Sequence, residues 1–418
     1  MTVPDPMSCP NPSEDSAGFG DWQRGAHGEF TIGGSPLSRV VDAVGGTPCY
    51  LYDRERISAR AMRLRGALSP DIHLHYAIKA NPMPALVGYL ASRVDGLDVA
   101  SAGELRLALD TGMSAEHISF AGPGKSPAEL EQAHAAGVLV NVESFREVRH
   151  LAALTRRKGY PARVAIRVNL PFELRASGMK MTGGARQFGI DADQVEDIIA
   201  LVEAEGLVLE GFHLFAGSQN LNADAIIEAQ ARSYDCVLEW TRSVRGRIRS
   251  INLGGGFGIP YTRSDIPLDA APILDHLNTL AGRSTRDYAQ ARLVIELGRY
   301  LVGEAGIYVC RVVERKVSRG KTFLITDGGM HHHLAASGNF GQVVRKNYPA
   351  AINRGSSDIE VVDIVGPLCT PLDTLGRDVR LDRAEEDDLI IIFQSGAYGR
   401  SASPRGFLGH PDVAEALV

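Results

Sequence analysis

Eight short apolar segments alternate with helix-type segments between residues 73 and 299, and this alternation limits the possible folds most strongly. Strand-like segments that alternate with amphipathic ones predict a parallel sheet covered by helices. Eight such units over this length favour a closed (β/α)8 barrel of the TIM type. A doubly wound open sheet is the alternative, but it more often carries a dinucleotide glycine fingerprint after its first strand, and residues 77–82 contain none. The eight segments are residues 73–79, 97–101, 118–122, 139–144, 164–169, 210–218, 250–256 and 292–299.

The pattern changes after about Tyr300, where β-rich segments are separated by glycine and proline. Residues 300–418 therefore predict an all-β domain, either a sandwich or a barrel. A strand-like segment at 29–32 precedes the barrel, and we expect residues 27–47 to complete the β domain as an N-terminal strand. Residues 48–299 then form the barrel. Residues 1–26 are rich in Pro, Ser, Gly and Asp and lack the parts of a signal peptide, so we expect a disordered leader.

Composition narrows the class of protein. The net charge of −6 argues against a nucleic-acid partner, and no apolar run is long enough for a membrane span. The five cysteines are widely scattered and include no Cys-x-x-Cys pair, which argues against a disulfide framework or a metal site and indicates a reducing cytoplasm.

Lys79 stands at the end of the first apolar segment, directly before an Asn-Pro turn. Burial at that position would disfavour the ammonium form and leave a nucleophilic amine, as an enzyme that binds a carbonyl through lysine requires. A lysine that extends from a strand end into solvent is the alternative, and for an isolated lysine it is the better one.

Other chemically distinctive residues end later segments, where the active site of a barrel lies. The glycine run 254–256 follows segment seven and offers unobstructed amide groups to a phosphate, although a tight corner would also explain it. Ser218 could add a hydroxyl donor. Glu296 ends segment eight, where its charge needs a partner, either a protonated pyridine nitrogen or Arg299. A lysine, a phosphate cradle and a carboxylate at one barrel mouth together describe a pyridoxal phosphate site.

Two motifs lie in the predicted β domain, Gly-Pro-Leu-Cys-Thr-Pro at 366–371 and Gly-Ala-Tyr-Gly at 396–399. Cys369 alone would more often be a buried structural thiol, but its place between turns favours a general acid. The three histidines at 331–333 cannot all face one ion, so we expect no metal there and one histidine in the pocket.

Together these motifs resemble the fold-type III pyridoxal phosphate decarboxylases, the family of diaminopimelate and eukaryotic-type ornithine decarboxylases. The resemblance runs from about Thr47 to the C-terminus in the right order. Residues 216–221, 327–332 and 366–373 look most like a branch associated with bacterial exosortase and exopolysaccharide loci. That branch is similar to decarboxylases that act on aminoacyl groups held on carrier proteins.

The resemblance implies pyridoxal phosphate as cofactor and a homodimer in which Cys369 of one subunit reaches the active site of the other. It implies that Lys79 binds the cofactor covalently and that Cys369 protonates the product. Substrate contacts would come from Arg299, His331, Thr370 and Tyr398. The residues implied to bind the cofactor are Lys79, Arg167, His213, Phe215, Ser218, Gly255, Gly256, Glu296, Gly298, Arg299 and Tyr398.

The departures from the family pattern concern the substrate. Phe215 replaces the family's ring-stacking histidine. Thr370 stands where diaminopimelate decarboxylases carry a glutamate for the distal amine, and Ala335 where they carry an arginine for the distal carboxylate. Loss of both contacts predicts poor recognition of diaminopimelate.

The leading hypothesis is decarboxylation of an L-amino acid or of an aminoacyl group, free or bound to a carrier protein. An authentic diaminopimelate decarboxylase is the nearest alternative. A racemase shares the barrel and the lysine, but Cys369 argues against it. A non-catalytic regulatory homologue would usually lack Lys79 or Cys369, and both are present.

Overall fold

The computed structural model describes residues 19–25, 28–173, 179–287, 291–340 and 346–418. Most of the leader expected at 1–26 lies outside these residues. The chain divides into two compact units. The first comprises Arg56–Pro260 and Ile266–Gly303, and the second comprises the chain up to Glu55 with Tyr261–Asp265 and Glu304–Val418.

The described elements follow in chain order. The strands are β1 (Thr31–Ile32), β2 (Ser35–Pro36), β3 (Cys49–Tyr52), β4 (Ile72–Ala77), β5 (Gly96–Val99), β6 (Ile118–Phe120), β7 (Leu139–Val142), β8 (Arg163–Asn169), β9 (Met179–Lys180), β10 (Ile190–Asp191), β11 (Val208–Leu214), β12 (Gly217–Ser218), β13 (Ser250–Asn252), β14 (Arg292–Leu297), β15 (Gly306–Ser318), β16 (Lys321–Thr326), β17 (Ala350–Ile352), β18 (Ile359–Val365), β19 (Thr374–Asp382), β20 (Leu389–Ile392) and β21 (Ala414–Leu417). The α-helices are Leu37–Ala43, Arg54–Ala67, Pro84–Ala91, Ala102–Asp110, Pro127–Ala136, Phe145–Lys158, Val195–Ala204, Ala223–Trp240, Ala271–Asp287 and Arg299–Val302.

The first unit is a closed parallel barrel. Its strands pair in the order β4, β5, β6, β7, β8, β11, β13 and β14, and β14 returns to pair with β4. Every pairing in this ring is parallel. Each of the eight predicted segments overlaps one of these strands, so the predicted (β/α)8 barrel is confirmed. The open-sheet alternative is wrong because the two ends of the sheet meet.

Serine residues start three helices just after barrel strands. The hydroxyls of Ser101 and Ser144 accept from the amide of the residue three positions later. Ser126 and Glu129 form a reciprocal capping box. These bonds satisfy amides that the first helical turn leaves without partners, so each chain reversal is fixed locally by the sequence.

The second unit is built on an eight-stranded sheet. Strands β17, β20, β15, β16, β18 and β19 lie side by side in that order, and β3 pairs with both β15 and β21. The N-terminal strand that completes this sheet is therefore β3. The earlier segment instead forms the β1–β2 hairpin and two isolated bridges, from Phe30 to Arg24 and from Glu29 to Arg354. All four residues of β3 are buried, whereas Thr31 is exposed, which favours β3 for the interior position.

An aromatic cluster packs inside the second unit. Phe393 is fully buried, and its ring centroid lies 5.6 Å from that of Phe30 and 6.1 Å from that of Trp22. Arg24 extends from the same N-terminal segment and pairs with Asp382 on β19. The segment around Trp22 is thus an integral part of this core.

The three consecutive histidines lie in the second unit and are buried. The Nδ1 atom of His333 accepts a hydrogen bond from the amide of Ala336, and its Nε2 atom lies 2.9 Å from the Ser395 hydroxyl. Burial lowers the pKa of His333 to about 3, so the ring is neutral at pH 7. Within the described ranges, no group of three or more His, Cys, Asp or Glu side chains is arranged to hold a metal ion.

None of the helices in the described part of the chain combines the length and the apolar character needed to cross a membrane.

We expect Phe393→Ala to destabilise the protein by about 3–5 kcal/mol, because it removes a large side chain from a closed cluster and leaves a cavity. Urea unfolding followed by tryptophan fluorescence measures this loss. Phe407→Ala is the matched control, since Phe407 is 45% exposed and its loss should cost less than about 0.5 kcal/mol. Equal effects of the two substitutions would contradict the assignment of the core.

We expect His333 to make the protein sensitive to acid. Its pKa is depressed in the folded state, so below about pH 6.5 the unfolded chain takes up a proton that the folded chain does not. The free energy of unfolding should then fall by about 1.4 kcal/mol per pH unit from this residue as the pH drops toward 4. His333→Gln should reduce that slope in urea titrations at pH 4, 5, 6 and 7, and parallel curves for the two proteins would contradict the prediction.

Candidate active site

Lys79 lies in a 3-10 turn, Ile78–Ala80, that begins directly after β4. Its Nζ atom lies 5.2 Å from the centre of the Phe215 ring, which follows β11. Lys79 itself is exposed, although Ile78 and Ala80 on either side are buried. The expectation that protein packing desolvates this amine is therefore wrong, because the turn buries Ile78 and Ala80 and leaves the lysine side chain accessible.

Glu296 is the buried carboxylate of the site. Its Oε2 atom lies 3.1 Å from Nε2 of His213 and accepts from Nδ2 of Asn252 at 3.3 Å. Its Oε1 atom accepts no hydrogen bond from any described residue. His213 and Asn252, the two partners of Oε2, are themselves buried. Oε2 is therefore satisfied within the protein, and Oε1 is left for a donor from the barrel mouth.

The ionisation of Glu296 follows from these neighbours. Burial alone would favour the neutral acid, but His213, Lys79 and Arg167 together hold the pKa of Glu296 below its usual value. The sequence predicts Arg299 or a cofactor nitrogen as the partner of this carboxylate, and the family resemblance implies only a cofactor contact for His213. The structure makes His213 and Asn252 the described hydrogen-bond partners of Glu296. The second ring nitrogen of His213 is buried and has no hydrogen-bond partner among the described residues.

The glycine run after β13 lies between the loops that follow the neighbouring strands. A Cβ at Gly255 would overlap the carbonyl oxygen of Glu296, and one at Gly256, where φ is +83°, would overlap that of Gly217. Only glycine fits such close backbone approaches. In the described part of the chain, no acceptor is bonded to the amide of Gly255 or Gly256 or to the hydroxyl of Ser218. The corner is tight and also presents several donors to an anion.

Gln219 and Asn220 join the loops that follow β12 and β13. Gln219 donates from Nε2 to the Ile259 carbonyl at 2.6 Å and accepts from the Ile259 amide at 3.2 Å. The amide of Asn220 donates to the Gly256 carbonyl at 3.0 Å. These bonds hold Ser218 beside the glycine run. The sequence gives no sign of either role, because the Gln219 side chain and the Asn220 backbone amide act between loops that are distant in the chain.

Gly298 connects the last barrel strand to the lysine turn. A Cβ at this position would lie 2.8 Å from the Ala80 side chain and 3.2 Å from the Ala77 carbonyl oxygen. Arg299, next in the chain, begins a one-turn helix and is half-buried. The end of β14 and the turn that carries Lys79 therefore pack directly together.

Arg167 lies on β8 within a chain of alternating buried charges. It donates to Glu143 at 2.8 Å, and Lys125 lies 3.1 Å from Glu147. Burial opposes ionisation of Glu143, but Arg167 and Lys125 keep its pKa below the usual value. Each of these side chains lies next to one of opposite charge, so Arg167 is held rigidly on the inner wall of the barrel.

Cys369 is exposed in the second unit, in the turn between β18 and β19. Asp373 organises this turn, because its carboxylate accepts from the amides of Met330 at 2.6 Å and Leu368 at 2.8 Å. Gly329 and Gly366 closely approach the same carboxylate. Asp373 thus joins the segment around Met330 to the turn that carries Cys369, and its position four residues after Cys369 was the one available signal for that role.

The remaining predicted residues also lie in the second unit. Tyr398 is half-buried with φ of +55°, a left-handed conformation that is strained for a side chain of this size. Thr370 is half-buried and accepts from the Leu372 amide. His331 is buried, and neither ring nitrogen has a hydrogen-bond partner among the described groups. Ala335 is buried and carries no polar group.

At the barrel mouth the described side chains provide a primary amine, an aromatic face, a buried carboxylate with a free oxygen and a set of unpaired hydrogen-bond donors. These groups match the parts of pyridoxal phosphate, namely its carbonyl, ring, pyridine nitrogen and phosphate. The chemistry of the donor set therefore fits this cofactor, and the free Glu296 oxygen is the acceptor that a protonated pyridine nitrogen requires.

Comparison with known proteins agrees with this fit. Residues 54–303 match the pyridoxal binding domain of the pyridoxal-dependent decarboxylases. The chain is 40% identical over 380 residues, 89% of its length and 88% of the relative's, to the L-glutamyl-[BtrI acyl-carrier protein] decarboxylase of Niallia circulans. It is 30% identical to the 2-[(L-alanin-3-ylcarbamoyl)methyl]-2-hydroxybutanedioate decarboxylase of Staphylococcus aureus, covering 90% of this chain and 95% of the other.

A solved structure shows the same architecture. Diaminopimelate decarboxylase from M. jannaschii, in complex with L-lysine, superposes with a TM-score of 0.85 at 27% identity, covering 94% of this chain and 92% of the other. The chain belongs to the pyridoxal-dependent decarboxylases, and it is a carboxy-lyase that uses pyridoxal phosphate.

Proposed function

We propose that this enzyme decarboxylates an aminoacyl group whose far end is joined to a carrier protein, with an L-glutamyl thioester as the first candidate. Ala335 is the observation that carries the proposal. It is buried and apolar where the resemblance places an arginine for a distal carboxylate. Thr370, at the position for a distal amine, is uncharged as well. A thioester end has no charge to pair, and a relative at 40% identity is named for that kind of substrate.

In the proposed reaction the bond between Cα and the α-carboxylate breaks, CO2 leaves, and the electron pair at Cα takes up a proton. Bound pyridoxal phosphate supplies the electron sink for this charge. We assign Lys79 to covalent attachment of the cofactor and the ring of Phe215 to covering one of its faces. The amides of Gly255 and Gly256, with the Ser218 hydroxyl, would hold its phosphate.

Glu296 would hold a proton on the pyridine nitrogen through Oε1. His213 and Asn252 support this role because they bind Oε2 and keep the carboxylate ionised. Arg299, Gly298 and Tyr398 are proposed to complete the cofactor and substrate contacts, and Arg167, held by Glu143, would contact the cofactor as well.

Cys369 is the proposed acid, and its Sγ atom would deliver the proton to Cα. Its exposure supports this role, since an exposed thiol can reach a substrate. We propose that it serves the active site of the partner subunit in a homodimer. The four described cysteines are free thiols, which supports a reducing cytoplasm.

We expect Cys369→Ala to lower kcat by about 10²–10⁴-fold, the usual contribution of a general acid, while the absorbance of the lysine-bound cofactor persists. Cys236→Ala is the control, because Cys236 is also a free thiol but lies on the helix Ala223–Trp240 of the barrel unit. Lys79→Ala should lose both the visible absorbance and the activity.

Mixing the inactive Cys369→Ala and Lys79→Ala proteins tests the shared active site. If each site combines Lys79 of one subunit with Cys369 of the other, mixed dimers contain one intact site. Reassociation should then restore about one quarter of wild-type activity. No recovery after verified subunit exchange would contradict the shared active site while leaving the decarboxylase assignment intact.

The substrate is tested by CO2 release from a panel. We expect turnover of L-glutamate loaded on an acyl carrier protein, and little turnover of free diaminopimelate, lysine, ornithine, arginine or glutamate. The reason is that positions 335 and 370 offer no charged partner to a distal group. Turnover of free diaminopimelate at about 1–10³ per second would contradict the proposal.

A further inference from the structure

A second cavity opens at the end of the barrel where the strands begin. This basal chamber has a volume of about 310 Å³ and is lined by His73, Ser119, Asn141, Ser250 and Arg292, among others. It lies at the opposite end of β4 from Lys79, because His73 is the second residue of that strand and Lys79 follows its last residue. The chamber therefore opens away from Lys79, although Asn252 in its wall also binds Glu296 of the proposed catalytic site.

The interior of the chamber is polar where barrels of this type are usually filled by branched aliphatic side chains. Ser119, Asn141 and Asn252 are buried in its wall. Burial lowers the pKa of His73 to about 4, so this imidazole is neutral at pH 7 and offers one donor and one acceptor. A volume of this size is at the lower end of the range of small-molecule sites.

A rim rich in arginine surrounds the entrance. An adjoining cavity of about 890 Å³ shares Arg249 and Arg292 with the chamber. The two cavities together are lined by three glutamates and by five arginines, namely Arg163, Arg245, Arg247, Arg249 and Arg292. This is a local excess of two positive charges in a chain of net charge −6. The net charge of the chain does not reveal this cluster of arginines, because it is a sum over all residues.

The arginine charges are only partly compensated. Glu210 is held by Arg163 at 2.6 Å, and Arg249 lies farther away at 3.8 Å from the same carboxylate. Arg249 is 65% exposed at its side chain. Arg292 is exposed and forms no ion pair with a described carboxylate. Two guanidinium groups therefore face both cavities with little local neutralisation.

We infer that the basal chamber and its rim form a second ligand site, which takes a compact anion bearing phosphate groups. The guanidinium fork matches phosphate oxygens in pairs, and Arg249 and Arg292 stand side by side because the Arg292 amide donates to the Arg249 carbonyl at 2.9 Å. The polar wall beyond them can bind the remaining oxygens. The site is independent of the substrate proposed above.

Calorimetric titration of the holoenzyme with pyrophosphate tests the inference, because bound cofactor already fills the phosphate subsite at the barrel mouth. We expect saturable binding that weakens with added salt. Arg249→Gln with Arg292→Gln should weaken pyrophosphate binding by about tenfold or more. Arg249→Lys with Arg292→Lys should weaken it less, because lysine keeps the positive charge and loses only the paired donors of the guanidinium group. Decarboxylation without pyrophosphate should be unchanged in these variants.

Arg156→Gln with Arg157→Gln is the matched control. Both side chains are exposed and paired with glutamates at the end of another barrel helix. Citrate is the second probe, and it should bind more weakly than pyrophosphate. The inference is overturned if the wild-type holoenzyme binds no pyrophosphate or binds citrate equally well. It is also overturned if the double variant of Arg249 and Arg292 binds pyrophosphate as tightly as the wild type and the control variant do.

Discussion

The parallel pairing between β14 and β4 is the contact on which the candidate active site depends. It places Glu296 beside His75 in register and packs Gly298 against the turn that carries Lys79. Because this pairing closes the ring, the first and last strands end at the same rim although they are far apart in sequence. An open sheet with the same strands would leave the amine and the carboxylate at opposite edges.

Closure also requires buried charges to be compensated inside the barrel. Glu296 is bound by His213 and Asn252, and Arg167 by Glu143. Loss of one partner in such a pair leaves an uncompensated charge, which costs far more than the pair contributes. The barrel interior thus contains polar side chains in place of aliphatic ones. Some of these side chains, such as Ser119 and Asn141, are small and leave room for the basal chamber.

Periodicity was sufficient to predict all eight barrel strands, because apolar segments alternate with amphipathic ones, and serine caps mark the start of three of the helices. Individual residue types were enough to select Lys79, the glycine run, Glu296 and Cys369 as chemically distinctive. Side-chain environment was predicted less well. Lys79 is exposed rather than buried, Glu296 is bound by His213 and Asn252, and Asp373 organises the turn of Cys369.

By itself the sequence determined the barrel and the β domain through strand periodicity, and the cofactor through a few residue types in a fixed order. The reaction class followed from the resemblance of those motifs to a known family. Only the tertiary structure decided which groups meet. The loops joined by Gln219 and Asn220, the free oxygen of Glu296 and the arginine rim all depend on contacts between segments distant in the chain. Such contacts are set by closure of the barrel, which no local pattern encodes.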